Sequence, residues 1–320
     1  MESPEQRGEG SRREALGSKV RDRRKVKKAS MIYSNFDFLD RAWWKPSYDE
    51  HNASYFVINA KRHQHAILLA VNESDPLFWK DISTFIVNTI DFIQQALKKT
   101  SILRLFLSWL CGKFAYCLIS ERSLRLKKKV KNIHDAFIGI FPSIFFPDLP
   151  IDQFTPSFVF AQQLHRKIGN ELIRNAGRYR TRHVMATQEN YVYVAPDLIE
   201  DKMDELFRQC REEFERTDLQ LEEAIKCGAC FFPYFLTIHP FVNGNGRVGR
   251  LLLSYLLSKF TVVPLSLYTG SEPRDLYLQC LREARYQEPF NPSALATFML
   301  ECVYKTSYNI CVVMDINIQD

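Results

Sequence analysis

The chain has 320 residues, of which 46% are hydrophobic and 13% aromatic, so it can bury a sizeable core and wholesale disorder is excluded. The formal net charge is +6, and residues 1–30 alone carry ten Lys or Arg against five Asp or Glu. The remaining 290 residues are close to neutral, which argues against a broad phosphate-binding face and against nucleic acid as a partner.

Residues 1–30 are predicted to form a basic, disordered tail, because they combine charge with no apolar stretch. For the same reason we expect no secretory signal peptide. The eight cysteines are scattered through apolar, helix-like segments, a pattern that favours reduced, buried thiols over a disulfide framework. Together these features predict an intracellular protein, cytoplasmic or nuclear.

Residues 31–150 are predicted to form an N-terminal, mostly helical region of unknown role. Its first part, 31–70, is aromatic-rich and irregular, with a short strand at Tyr55–Ile58 and a surface loop carrying His63 and His65. Apolar residues at helical spacing between 82 and 97 then predict a helix, and a second helix is expected from Ile102 to about Phe137.

The stretch 102–119 is apolar and nearly long enough to span a membrane, but Lys113 lies well inside it. A central lysine costs roughly 3 kcal/mol on insertion scales. We therefore predict a buried helix, with a membrane-associated segment as the alternative.

Four prolines between 142 and 156 mark the expected start of a second domain at 151–305. Its predicted elements are helices and one hairpin, and a C-terminal tail is expected at 306–320. In chain order they are a helix from Phe158 to Ala176 ended by Gly177, a hairpin of Val184–Met185 with Tyr191–Val194, a helix opened by Pro196, a helix over Leu221–Ile238 bent by Pro233, a helix to about Phe260, and shorter helices at Pro273–Arg285 and Pro292–Tyr304.

Cys227 and Cys230 form a C-x-x-C in this domain. No second cysteine pair and no histidine at ligand spacing accompany them, so zinc is not expected. We interpret them as two core thiols on a helix. Taken together, the predicted elements indicate a mostly α fold with one small β-hairpin.

The segment His239 to Arg250 reads HPFVNGNGRVGR and precedes an apolar helix. Gly244 and Gly246 lack side chains, so backbone N–H groups there can close on an anion at the N terminus of the new helix. Asn245 would add amide donors between them.

Arg247 and Arg250 lie three residues apart and project from nearly one face of that helix. Two guanidinium groups suit a di- or triphosphate. His239 stands where an imidazole could take a proton from an incoming hydroxyl.

This segment closely resembles the signature of the Fic (Fic/Doc) family, HxFx(D/E)GNGRxxR, and the likeness extends over roughly 158–298. The resemblance implies a Fic-like helical bundle with a hairpin flap. It also implies a protein adenylyltransferase that moves AMP from ATP onto a Ser, Thr or Tyr hydroxyl, with Mg²⁺ present; the same site can run toward AMP addition or AMP removal.

Carried over by that likeness, His239 would be the catalytic base. Gly244, Asn245 and Gly246 would hold the α- and β-phosphates. Arg247 and Arg250 would hold the β- and γ-phosphates, and Phe241 would anchor the loop. Target proteins would dock along the hairpin near 182–194 by strand addition. The oligomeric state stays open, a homodimer included.

This sequence departs from the family signature at the position of the metal ligand. Where the family has Asp or Glu as the Mg²⁺ ligand, this chain has Asn243, whose amide oxygen attracts the cation less. The alternative to an active enzyme is therefore a catalytically weakened or inactive ATP-binding regulatory protein.

The family's inhibitory helix, (S/T)xxxE(G/N), has no match; the nearest segment, with Glu121, is a poor copy. His165 and His183 are expected near the cleft, with packing or backbone hydrogen bonds as their role.

Overall fold

The computed structural model describes most of residues 151–305 and parts of residues 31–150. The described residues are 36–46, 49–73, 121–140, 157–186, 191–262, 264–265, 267, 274–286 and 290–318. The predicted helix near 82–97, the stretch 102–119 and the proline-rich connection at 142–156 lie outside them. None of the described helices is long and apolar enough to cross a membrane.

The described residues form helices and one hairpin, as the sequence predicted. The elements are α1 (Ala53–Glu73), α2 (Glu121–Ile140), α3 (Phe158–Gly169), β1 (Met185–Ala186), β2 (Tyr191–Val192), a 3₁₀ turn (Pro196–Leu198), α4 (Ile199–Phe214), α5 (Leu221–Ile238), α6 (Asn245–Leu257), α7 (Arg274–Tyr286) and α8 (Ser293–Val313). The strands pair antiparallel, with Met185 opposite Val192 and Ala186 opposite Tyr191. The two-stranded hairpin and the bounds of α5 agree with the prediction.

Helix α5 is the centre of the bundle. It packs against α4, α6, α7 and α8, and it is buried around most of its circumference. A helix that is apolar on every side belongs in a core. Cys227 and Cys230 are both fully buried free thiols on this helix, which confirms their interpretation as core residues.

A glycine sets the distance between α5 and α6. A Cβ on Gly249 would lie 2.8 Å from a ring carbon of Phe232, closer than real Cβ contacts. The absence of that atom lets α6 pack directly on the aromatic surface of α5. The N terminus of α6 is thereby held beside the C terminus of α5, where the motif lies.

The predicted strand at Tyr55–Ile58 is wrong, since these residues lie in the first turns of α1. The Oδ1 of Asn52 accepts the Tyr55 N–H at 3.0 Å and begins the helix. Phe56, Ala60 and Ile67 are buried at helical spacing where α1 packs on α8. This tertiary packing overrides the local β propensity. His63 is buried on the same helix and His65 is exposed, so neither lies in a surface loop.

Helix α3 ends at Gly169, seven residues before the predicted end at Ala176. Glu171 has a left-handed backbone, with φ of 58°, and the chain then turns back on the helix. A Cβ on Gly169 would lie 2.8 Å from the Cβ of Ala176, so this return is possible because residue 169 has no side chain. Gly177, predicted to end the helix, instead lies in this turn with φ of 84°.

Helix α8 continues to Val313, beyond the predicted end at Tyr304, and the tail predicted at 306–320 therefore begins inside it. Its Glu301 is buried and binds the N-terminal segment. Trp44 Nε1 donates to it at 2.9 Å, and the ammonium groups of Lys45 and Lys305 each lie 2.8 Å away. Burial alone would raise the pKa of Glu301, but these partners hold it below its usual value.

Candidate active site

The motif forms a short loop between two helices. Helix α5 ends at Ile238 and is followed by His239, which has a left-handed backbone with φ of 50°. Helix α6 begins after Gly244, which has φ of 86°. A side chain at Gly244 would be strained by that conformation, and its Cβ would also lie 3.3 Å from Nη2 of Arg247. The glycine therefore allows the chain to turn sharply into the N terminus of α6.

Asn245 braces this loop from within. Its Oδ1 accepts the Phe241 N–H at 2.9 Å, and its Nδ2 donates to the Phe241 carbonyl at 2.7 Å. The side chain of Asn245 is 2% exposed, and that of Phe241 is fully buried. The anchoring role predicted for Phe241 is confirmed. The amide of Asn245 thus bonds to the loop backbone through its oxygen and one of its N–H groups, and its contact with phosphates stays a prediction.

His165 holds the loop from the side of α3. Its ring stacks on Phe241, with centroids 3.9 Å apart and planes 8° from parallel. Gly177 donates its backbone N–H to Nδ1 at 2.8 Å, so Nε2 carries the proton and donates to the Asn243 carbonyl at 2.9 Å. Burial lowers the pKa of His165 to about 4, which keeps the ring neutral. The predicted role in packing and backbone hydrogen bonding is confirmed; His183 is exposed.

Arg180 clamps the end of α5 to the hairpin. Its guanidinium donates to the carbonyls of His239 at 2.8 Å, Ile238 at 3.2 Å, Arg182 at 2.8 Å and Val194. The side chain is 2% exposed. A cation among the last carbonyls of a helix also interacts favourably with the helix dipole. Arg180 thus fixes the backbone of His239 relative to the hairpin.

The imidazole of His239 lies under the hairpin. Tyr193 stacks on it with centroids 3.9 Å apart and planes 26° from parallel. Burial lowers the pKa of His239 to about 4, and the positive charges of Arg180 and Arg285 act in the same direction, against a hydrogen bond to the Leu236 backbone that raises it. The ring is therefore neutral at pH 7. A neutral imidazole can accept a proton, as a general base must.

Two guanidinium groups lie against the loop glycines. The position of a Cβ on Gly246 is 3.6 Å from Nη1 of Arg250, and that on Gly244 is 3.3 Å from Nη2 of Arg247. Burial and the charge of Arg250 both lower the pKa of Arg247. Arg247 forms no ion pair within the part of the chain that the structure describes. The structure brings these four predicted residues together at the N terminus of α6, an arrangement that favours an anion.

Asn243 is exposed beside this cluster. Its Oδ1 accepts the backbone N–H of Gly244 at 2.7 Å, so that N–H, predicted to face phosphate, is engaged within the loop. The first N–H groups of α6 itself have no partner inside the helix. Across the described ranges, no group of three or more His, Cys, Asp or Glu could hold a metal ion.

Sequence reasoning did not find Arg180, Tyr193 or Arg285 as residues around His239. The burial of the Arg180 guanidinium depends on tertiary packing. The alternation of the hairpin was the one available signal for Tyr193, because it places Tyr191 and Tyr193 on one face.

Comparisons with known proteins agree with this geometry. The sequence profile of the Fic/DOC family matches residues 155–257, which include the whole motif loop. A Fido domain-containing protein of Dictyostelium discoideum is 33% identical over 121 residues, or 37% of this chain and 78% of that protein. A probable protein adenylyltransferase of Aquifex aeolicus is 37% identical over 62 residues, which are 19% of this chain and 18% of that protein.

Two solved structures share the fold. A Fic family protein from Desulfovibrio desulfuricans G20 superposes with a TM-score of 0.59 at 20% identity, over 87% of this chain and 79% of that one. Fic-1 from C. elegans (residues 134–508) superposes with a TM-score of 0.60 at 15% identity, over 97% of this chain and 79% of that one. At these identities the likeness shows the fold alone.

Proposed function

Because the chain belongs to the Fic/DOC family, we propose that it transfers AMP from ATP to a Ser, Thr or Tyr hydroxyl of target proteins. One observation carries the proposal: a half-buried, neutral imidazole just after α5 is followed, across a short loop, by a helix N terminus with two guanidinium groups against Gly244 and Gly246. A base and a polyphosphate site in one short loop are the two parts that such a transfer needs. The similarity to a probable adenylyltransferase supports the same reaction.

In the proposed reaction, the target hydroxyl oxygen attacks the α-phosphorus of ATP. The new bond joins that oxygen to phosphorus, the bond from the α-phosphorus to the bridging oxygen breaks, and pyrophosphate leaves. His239 accepts the hydroxyl proton as the bond forms. Its neutral state suits this role, and its backbone is fixed by the hydrogen bond from Arg180.

The leaving pyrophosphate would be held by Arg247 and Arg250. Each guanidinium can bind phosphate oxygens through two N–H groups. Negative charge that moves onto the bridging oxygen during bond breaking would also meet the positive end of the α6 dipole. The phosphates would thus replace water around two cations that already lie side by side.

The residues of the site fit Mg²⁺ when it is bound to the phosphates of ATP, because they offer few ligands of their own. Asn243 offers one neutral amide oxygen, which already accepts the Gly244 N–H. We therefore propose that Mg²⁺ is held mainly by phosphates and waters, with Asn243 as at most one protein ligand. When bound, the ion would neutralise part of the phosphate charge.

The hairpin is the proposed docking site for the target, along residues 182–194. Each of its strands is paired on one side within the described residues, so an extended segment could add along a free edge. The edge would bring a target hydroxyl close to His239, since Tyr193 of the hairpin contacts that ring.

A second candidate is an ATP-binding regulatory protein with little or no transfer activity. Asn243 is the observation that favours it, because an acidic side chain at this position would bind the metal more strongly. The absence of the family's inhibitory helix, to which the segment with Glu121 is the nearest match, stays a prediction. The backbone of Glu121 begins α2, and its side chain lies outside the described part of the chain.

The two candidates are separated by intact-mass spectrometry of the purified protein after incubation with ATP and Mg²⁺. AMP transfer predicts a mass gain of one AMP group, release of pyrophosphate, and loss of both in His239→Ala, with ATP binding preserved. An unchanged mass in all forms, with ATP bound normally, would support the regulatory protein.

A further inference from the structure

The contact between Tyr193 and His239 joins the hairpin to the catalytic base of the proposed reaction. The two rings lie in a stacked arrangement with centroids 3.9 Å apart. Tyr193 is itself fixed at the end of β2, because its N–H donates to the Val184 carbonyl at 3.3 Å. The partner of His239 is thus part of the hairpin framework.

The alternation of the hairpin explains why this residue faces the base. Met185 and Val192 lie opposite each other and are 50% and 64% exposed, so they mark the outer face. Tyr191 and Tyr193 flank Val192 and belong to the inner face. A shift of one residue in the register would turn Tyr193 outward and remove the contact.

We propose that Tyr193 is a positioning residue, which holds the imidazole of His239 in the orientation from which it accepts the target's proton. This inference rests on the proposed AMP transfer. Stacking on Tyr193 covers one face of the imidazole. One ring nitrogen bonds to the backbone at Leu236, so the other is the nitrogen that would accept the proton.

Further contacts hold Tyr193 in place. The rings of Tyr191 and Tyr193 pack edge to face, with centroids 5.3 Å apart. The guanidinium of Arg285 lies 5.4 Å from the centroid of the Tyr191 ring. Arg285 comes from α7, so the aromatic pair is supported from outside the hairpin. On the backbone side, Val194 donates to the Thr237 carbonyl at 3.5 Å, and Arg180 binds the carbonyls of both His239 and Val194.

If Tyr193 positions His239, loss of its ring should slow AMP transfer without weakening ATP binding. Loss of the ring would leave Arg247 and Arg250 in place, so the KM for ATP should stay nearly constant. The value of kcat should fall roughly tenfold to a hundredfold, which is less than the full contribution of a general base. Loss of the cover should also let water reach the imidazole, which raises its pKa toward the ordinary value.

The experiment compares Tyr193→Phe, which keeps a ring, with Tyr193→Leu and Tyr193→Met, which remove it. Two readouts are used: kcat and KM for ATP in the transfer assay, and the His239 pKa from an NMR pH titration without ATP. The groups facing His239 that such a titration senses are Arg180, Arg285 and Tyr193 itself. Val192→Ala, on the outer face of the same strand, is the matched control for the titration.

The proposal predicts that the Leu and Met variants raise the His239 pKa by on the order of one unit and lower kcat, while the Phe and Val192→Ala forms titrate like wild type. Tyr193→Phe should also retain most of the wild-type kcat. It is overturned if the Leu and Met variants leave the pKa unchanged, if the pKa rises with no fall in kcat, or if Phe behaves like Leu. If no form transfers AMP, the proposed function fails, and the titration alone decides whether Tyr193 holds the ring.

Discussion

His165 and Asn243 are joined by a hydrogen bond of 2.9 Å from the His165 ring to the Asn243 carbonyl, which ties the motif loop to α3. The ring must be neutral to make this bond and to accept the Gly177 N–H at the same time. The pKa of His165 is lowered from 6.5 to about 4 in the folded protein. Between pH 4 and pH 6.5 the unfolded chain therefore binds more protons at His165 than the folded protein does.

From this relationship we predict that stability is fully present above about pH 6.5 and is lost as pH falls toward 4. The contribution of His165 is about 3 kcal/mol. Because His239 has a similarly lowered pKa, the His165 contribution is measured by comparing wild type with His165→Gln in urea denaturation at pH 7.5 and pH 4.5. The variant, which cannot titrate at this position, should show a correspondingly weaker pH dependence. An unchanged pH dependence in His165→Gln would contradict the assigned neutral state.

Asn245→Asp should lower the free energy of unfolding by about 2–3 kcal/mol, although the two side chains have nearly the same shape. An aspartate can still accept the Phe241 N–H, but it cannot donate to the Phe241 carbonyl, which lies 2.7 Å from Nδ2. Chemical denaturation measures the change. If Asn245→Asp is as stable as wild type and loses only ATP affinity, the residue binds phosphate as the sequence suggested and does not brace the loop.

Arg247→Met should weaken ATP binding at least tenfold without lowering stability. In the protein without ATP, the burial of the Arg247 guanidinium is unfavourable, because no ion pair among the described residues offsets it and because it faces the charge of Arg250. Removal of the guanidinium should therefore leave the free energy of unfolding unchanged or raise it by about 1 kcal/mol. Calorimetric titration with ATP and urea denaturation measure the two effects. Arg208→Met, on the exposed face of α4, is the control and should change neither by much.

The pH dependence of transfer should report the lowered pKa of His239. The value of kcat/KM should stay level from pH 8 to about pH 5 and fall as the pH approaches 4, where the imidazole of the free enzyme becomes protonated. Return of each sample to pH 7.5 should restore the rate and exclude irreversible inactivation, and far-UV circular dichroism at each pH excludes unfolding. A midpoint near 6.5 would mean that the ring is exposed to water and not covered by Tyr193.

The sequence predicted the features whose signals are local. Helix α5 begins at Leu221 and ends at Ile238 as its apolar pattern indicated, and the two β-prone runs pair as a hairpin. Gly244 and Gly246 marked the loop, and the spacing of Arg247 and Arg250 placed both guanidinium groups beside it. These elements depend on neighbours a few residues away in the chain.

The features that were missed depend on contacts between distant residues. Tyr55–Ile58 has strand propensity, but α8 buries it as a helix. The return of the chain after Gly169 depends on a close approach to Ala176 that no periodicity reports. In the same way, the commitment of Asn245 to Phe241 and the approach of Tyr193 to His239 follow from tertiary packing. The residues of the motif loop were therefore predictable from the sequence, whereas the contacts that hold the loop in place were not.

AMP transfer is tested by parallel incubations with ATP labelled at the α-phosphate and ATP labelled at the γ-phosphate, with wild type, His239→Ala and Asn243→Asp. We expect wild type to retain the α-label and not the γ-label, His239→Ala to retain neither, and Asn243→Asp to retain more α-label than wild type. Retention of the γ-label would show phosphate transfer, and retention of neither label by any form, with ATP binding intact, would contradict AMP transfer by this chain.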